Sequence, residues 1–327
     1  MADFLDAMPL LAALDEDERA ELRLAAIPFA ATQGERIFRQ GDPPTCLYLL
    51  ERGELEIATR IPGDPAASVS RIEPGEAVGE FALLDPGPRS ASVSALADSS
   101  GLVLGRDHFL AMVTEGRPAA IKLLDALRVL TARRTLATLH RIGEGSGAAR
   151  CELRAFPADS KTPEGAAQPV AAALVTTLSA FSGLALDDAA RLLAEGEAVD
   201  VARGVLLAPA EAAPDGIFLV QRGAVRAGLP RADGLEQVMI HAPGDFAGLT
   251  PVFADQPYPL SLSAAEPSRL LRIGAAQFHE WRTDRSGLAR AAMEAAGRQL
   301  VRDQRRANRH LGRALALGWF NRAGNVA

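Results

Sequence analysis

The sequence predicts a mostly β protein with flanking helices, built as two tandem β-rolls of the double-stranded jelly-roll kind, each followed by a long helix. Three observations lead there. Between Gly34 and Ile57, short apolar stretches such as Cys46-Leu47-Tyr48-Leu49-Leu50 and Leu55-Glu56-Ile57 alternate with Gly and Pro turns, the rhythm of an antiparallel roll. From Pro118 the period lengthens, with Leu123, Leu127 and Leu130 at helical spacing and Leu124 widening the stripe. The first half then returns. Gly204 stands 170 residues after Gly34 and Gly223 stands 170 after Gly53; Pro243-Gly244-Asp245 stands 169 after Pro74-Gly75-Glu76, with no gap needed as far as Ala264 opposite Ala95. A repeat this long marks two copies of one domain, because solenoid periods run about 20–50 residues.

Composition bounds the function. A chain of 327 residues, 48% hydrophobic and 23% charged, suits two globular domains with sizeable cores. A net charge of −6 argues against a protein whose main business is coating nucleic acid. Cys46 and Cys151 lack Cys-x-x-Cys spacing, so neither a disulfide framework nor a zinc site is expected and the thiols read as buried or idle. The five histidines are scattered, and no nucleophile–base pair appears, which predicts a receiver and not an enzyme. The first residues carry no basic region before their apolar part, and no apolar run reaches about 18 residues, so a soluble, cytoplasmic protein without a transmembrane segment is expected.

In order along the chain, Leu10 to Ala26 suits short amphipathic helices, with Asp15-Glu16-Asp17-Glu18 near an N-terminus. Gly34, Gly41 and Gly53 read as turn formers at positive φ. The stretch from Gly79 to Val93, GEFALLDPGPRSASV, reads as strand, short helix, strand. A helix first turn leaves backbone N–H groups unpaired and partly positive, so Ala82 and its neighbours could face an anion. Arg89 would complete that cradle, since a guanidinium meets a phosphate through two parallel charge-assisted bonds. Ser94 to Leu104 completes the roll, Asp107 to Val113 is a short helix, and a longer one starts at Pro118, a residue suited to the first helical position. Linker composition follows, which sets the domains at 1–142 and 170–327 around a linker at 143–169.

The order GEFALL followed by PRSASV resembles the phosphate-binding cassette of cyclic nucleotide-binding domains, of the catabolite-activator and kinase regulatory-subunit types. GERIFRQGD and LYLLERGELEI resemble that family's early strands. The resemblance implies cyclic AMP or cyclic GMP as ligand, with no other cofactor. It gives Glu80 the ribose 2′-hydroxyl and Arg89, nine residues on, the cyclic phosphate. Ser90 would touch the phosphate as well, while Gly79, Phe81, Ala82, Leu83 and Ala91 would shape the cassette around the ligand. The helix from Pro118 would act as a lid and as a seam for a homodimer, and Thr135 on it stands where the catabolite activator reads the base, although Leu136 departs from the activator's serine. An effector protein is implied as partner, of a kind the sequence does not identify.

The second cassette carries Leu249 opposite Glu80, Tyr258 opposite Arg89 and Pro259 opposite Ser90. Without carboxylate or guanidinium it reads as a non-binding copy, the alternative being a neutral or apolar ligand stacked on Tyr258. A basic helix from Ser286 to about Leu317, with Arg298, Arg302, Arg305, Arg306, Arg309 and Arg313, is expected to lid this copy with a solvated arginine face and an apolar Leu300, Leu311 and Leu315 side. Its alternatives are to lie on an anionic membrane, to dock an acidic partner, or to touch nucleic acid, the last of which would make the protein a transcriptional regulator lacking a recognisable helix-turn-helix.

Overall fold

A computed structural model of the chain describes residues 4–61, 64–144, 172–182, 184–231 and 234–324. It divides into two compact units, Met1–Thr131 with Gly312–Ala327, and Ala132–Leu311. From residue 145 on, the expected linker and Cys151 lie outside the described residues.

Helix α1, Glu16–Ala25, starts where the acids are because they cap it. Glu18 N–H donates to Asp15 Oδ1 and Asp15 N–H to Glu18 Oε2, both at 2.9 Å, a reciprocal capping box. Then come β1 (Ile27–Ala31), β2 (Arg36–Phe38), β3 (Cys46–Arg52), β4 (Leu55–Ile61), β5 (Asp64–Ile72) and β6 (Ala77–Val78). The cassette follows as α2 (Phe81–Leu84) and β7 (Ser92–Ala95), and β8 (Ser99–Gly105), α3 (Arg106–Thr114) and α4 (Pro118–Glu144) close the copy. The strands form two four-stranded antiparallel sheets, ordered β1-β8-β3-β6 and β2-β7-β4-β5. In β7 the Ser/Val/Ser/Ala alternation is read by the pleat: Val93 and Ala95 are buried, Ser92 and Ser94 are not. Those two join Leu50, Leu55, Ile72 and Val78 in one core, and the register sets Leu55 opposite both Ala95 and Ile72. On α4, Leu123 and Leu127 are wholly buried and Leu124 and Leu130 half-buried, the stripe the spacing predicts.

The second copy repeats the plan. Its elements are α5 (Ala172–Val175), α6 (Leu186–Glu195), β9 (Glu197–Val201), β10 (Leu206–Ala208), β11 (Gly216–Arg222), β12 (Val225–Arg231), β13 (Gly234–His241) and β14 (Phe246–Ala247). After them come α7 (Leu249–Ala254), β15 (Ser261–Ala264), β16 (Ser268–Gly274), α8 (Ala275–Thr283) and α9 (Gly287–Gly324). Its sheets run β9-β16-β11-β14 and β10-β15-β12-β13, the first copy's order strand for strand. Helix α9 begins at the expected place because Ser286 caps it, its Oγ accepting from Ala289 N–H at 3.2 Å and donating to Asp284 Oδ2 at 2.6 Å. It runs farther than its arginine pattern suggests, to Gly324.

Candidate ligand-binding site

Strand β6 delivers the chain to Gly79, which turns it into α2 at φ +89°. Glycine is required there twice over. The backbone conformation is left-handed, and a Cβ would lie 2.5 Å from Arg89 Nη1 and 3.1 Å from the Cys46 carbonyl. That close approach lets the arginine run beneath the cassette. Its backbone is pinned from the β2 side, with Arg89 N–H donating to Asp42 O and Gly41 N–H to Arg89 O, both at 2.9 Å.

The guanidinium is buried, 5% exposed. Nη1 donates to Gly79 O at 3.2 Å, and Nη2 to Cys46 O at 2.8 Å and toward Cys46 Sγ at 3.4 Å. Its carbon lies 4.1 Å from the centre of the Phe38 ring. Among the described residues Nε has no hydrogen-bond partner, and the bonds of the two Nη atoms go to carbonyls and a thiol. A cation taken from water and held by carbonyls and an aromatic face keeps much of its desolvation cost unreturned, so an anion brought to it is strongly favoured.

The other predicted cassette residues lie on the same segment of chain. Glu80 is 7% exposed and precedes α2; Phe81, Ala82 and Leu83 are buried, and Ser90 and Ala91 are half-buried on the approach to β7. The expectation that the turn leaves its first donors free is not met at two of them. Ala82 N–H donates to Gly79 O and Leu83 N–H to Glu80 O, both at 3.0 Å, because a helix this short closes by i to i+3 bonds. The charge that remains on offer is the guanidinium.

Two supports escaped the sequence reading. Phe38 carries the cation, and it is braced by Tyr48, with ring centres 5.9 Å apart, which in turn meets Phe29 edge-on at 5.2 Å. Burial pushes the Tyr48 hydroxyl well above its ordinary range. Cys46 is buried, as one of the two readings of the thiols had it, and supplies Arg89 with an oxygen and a sulfur; no sequence signal marks that role. Thr135 is on α4. It belongs to the second unit, is fully buried, and donates to Gln304 Oε1 at 2.7 Å.

In the second copy the cassette backbone persists, with Gly248 at φ +83° where Gly79 stands in the first. The positions opposite Glu80 and Arg89 hold Leu249 and Tyr258. Leu249 and Tyr258 are buried, and the Tyr258 hydroxyl reaches Met239 Sδ at 3.9 Å. Burial raises the Tyr258 hydroxyl's pKa, with Asp303 adding to the shift. The arginine face of α9 is not simply solvated, a correction to the amphipathic reading: Arg302 donates to Asp245 at 2.9 Å and Arg306 to Asp303 at 3.3 Å. Gln299 bridges the group, donating to Asp303 Oδ1 at 2.8 Å and lying 3.4 Å from His241 Nδ1. The arginines turn inward because the turn between β13 and β14 brings Asp245 to them and Asp303 lies buried on α9 itself. Burial pushes Asp303 up to about 7, with Arg306 and the Gln299 bond pulling the other way. Burial, helped by Arg306 and Arg302, drives His241 down to about 3.

A family model for the cyclic nucleotide-binding domain matches residues 29–115 and again 198–284. The chain belongs to the cyclic nucleotide-binding domain family and carries that domain twice in tandem. It is 42% identical over 106 residues to a cAMP-dependent protein kinase regulatory subunit of Emericella nidulans, a match covering 32% of this chain and 25% of that one. It is 40% identical over 81 residues to a cyclic AMP receptor protein of Thermus thermophilus, covering 25% of this chain and 38% of the other. The match thus spans about a quarter of the length of that kinase regulatory subunit. Among solved structures, the regulatory domain of Toxoplasma gondii PKA with cAMP is similar at 19% identity and a TM-score of 0.32, over 85% of this chain and 88% of that one. Among the described residues no helix is long and apolar enough to cross a membrane.

Proposed function

We propose that the protein is a cyclic nucleotide receptor that binds one nucleotide per chain, at the first cassette, and passes the event by conformational change to a partner protein in the cytoplasm. The observation that carries this reading is the buried guanidinium of Arg89, which rests on Phe38 with its Nε unpartnered among the described residues and its other bonds made to neutral groups. A cyclic phosphate supplies the missing charge. Glu80, at the start of α2, accepts from the ribose 2′-hydroxyl, and the hydroxyl of Ser90 adds a phosphate contact. Gly79, Phe81, Ala82, Leu83 and Ala91 form the surface on which the sugar and phosphate lie. Binding draws the cassette inward and repacks Leu83, and the helix that begins at Pro118 carries the change onward.

The second copy is proposed as silent. Tyr258 offers no charge to a phosphate, and the polar side chains of α9 already occupy one another in the interior. An anion buried there unpaired would cost several kcal/mol. Cyclic AMP is the proposed ligand, since relatives are named for it and since Ser90 lacks the β-methyl that would hold a hydroxyl toward a guanine.

Equilibrium binding of cyclic AMP to the wild type and to Arg89→Ala tests the site. The variant should lose about 3–5 kcal/mol, more than a hundredfold in affinity. Binding within about threefold of the wild type would show that the phosphate lies elsewhere.

A further inference from the structure

Helices α4 and α9 are the same element of the two copies, and within the second unit their equivalent positions meet. Thr135 on α4 donates to Gln304 on α9 at 2.7 Å, and the two are 169 residues apart. Thr138 reaches Asn308 Oδ1 at 3.5 Å, and these are 170 apart. The offset of the repeat itself is 169, since the two domain matches begin at residues 29 and 198 and end at 115 and 284, so Gln304 is the equivalent of Thr135 and Asn308 lies one residue beyond the equivalent of Thr138. Contact between a position and its own equivalent is the mark of an isologous interface, the kind that two identical surfaces form about a two-fold axis. The division of the chain agrees: the second unit takes α4 from Ala132 on, and the first takes α9 from Gly312 on.

The polar groups of this seam are matched, not merely buried. Gln304 accepts from Thr135 through Oε1, and through Nε2 it donates to Thr138 Oγ1 at 3.1 Å and Asn308 Oδ1 at 2.9 Å. Thr135 is 0% exposed, Gln304 6% and Thr138 8%. Two copies of α4 facing each other would set Thr135 against Thr135 and Thr138 against Thr138, without the amide that serves both hydroxyls here. Thr138 also donates to Arg134 O on its own helix at 2.9 Å, so what the Gln304 amide adds is the tie between α4 and α9.

We propose that this seam is an internalised dimer interface. The second copy of the domain takes, on α4, the place of a second chain, and the protein works as a single-chain equivalent of a symmetric dimer. The homodimer expected through the helix from Pro118 is then replaced by a contact inside one chain, and an effector must be met on another surface. The inference rests on the seam and the repeat and is independent of which nucleotide binds.

Cysteine trapping in the full chain tests it, in a Cys46→Ser/Cys151→Ser background. With Thr135→Cys and Gln304→Cys together, mild oxidation should give a disulfide within one chain, seen as full protection of both thiols from alkylation without any covalent dimer on denaturing gels. With Thr135→Cys alone, no covalent dimer should form. Covalent dimers from the single variant would show α4 meeting α4 of another chain, and dimers or two free thiols from the double variant would equally overturn the proposal. Sedimentation equilibrium of the unmodified protein is the second readout, and the mass of one chain is expected up to the highest soluble concentration. A mass of two chains would overturn it.

Discussion

The guanidinium carbon of Arg89 lies 4.1 Å from the centre of the Phe38 ring, so the buried arginine of the first cassette rests on an aromatic face where a structural arginine would rest on a carboxylate. If Arg89 holds the phosphate as proposed, Phe38 should matter to ligand affinity through the guanidinium it carries. Replacing it by leucine keeps most of the apolar volume and removes the ring quadrupole, worth about 0.5–2 kcal/mol to a desolvated cation. Phe38→Leu should weaken cyclic AMP binding by roughly threefold to thirtyfold, measured by equilibrium titration. An unchanged affinity would mean that the ring does not hold the guanidinium.

Gly79→Ala should damage the site and the fold together. The new Cβ would meet Arg89 Nη1 at 2.5 Å and would need φ +89°, a conformation that costs a side chain about 1–3 kcal/mol. Denaturant unfolding should report a loss of that size, and binding should fall more than tenfold because the guanidinium is what must move. Gly105→Ala is the control, since nothing lies within 4 Å of the Cβ it would carry.

Acid and base should act on the second copy through two groups of opposite sign. His241, folded at about 3 against 6.5 unfolded, stays neutral in the fold, so the stability it contributes is lost as pH falls below about 6.5 toward 3. Asp303, folded at about 7 against 3.8, holds its proton in the fold, so its contribution is full at low pH and is lost as pH rises toward 7. Over most of that window the two offset each other, among the charges of Arg302, Arg306 and Asp245. Urea midpoints at pH 5 and pH 8 separate them: between these values the wild type should lose stability relative to Asp303→Asn, and gain it relative to His241→Asn. Parallel curves for all three proteins would refute the assignment.

Base selectivity should favour cyclic AMP over cyclic GMP by about fivefold, the scale of one net hydrogen bond of about 1 kcal/mol. Ser90→Thr supplies the β-methyl that narrows χ1 and should shift the ratio toward cyclic GMP. Competition binding measures both, and a wild-type preference for cyclic GMP of about tenfold would reverse the reading.

The sequence shows the fold because its signals are local: Gly and Pro turns, the Ser/Val alternation of β7, the capping acids Asp15 and Glu18, and an offset of 169–170 residues between copies. Glu80 and Arg89 are legible for a different reason, since residue order alone carries the cassette. What surrounds them is not local. Cys46 and Phe38 reach Arg89 across strands, and no spacing along the chain foretells that. Arg302 and Arg306 follow a pattern that suits a solvated helix face, and only Asp245 and Asp303 buried beside them turn the pair inward. The partner of α4 is hidden likewise, because an apolar stripe with threonines says that something covers it and not what.

Calorimetric titration of the full chain with cyclic AMP tests the central claim most directly, because heat counts sites. One nucleotide bound per chain is predicted, with the signal abolished by Arg89→Ala and unaffected by Tyr258→Phe. Two equivalent sites per chain, or a single site that survives Arg89→Ala, would contradict it.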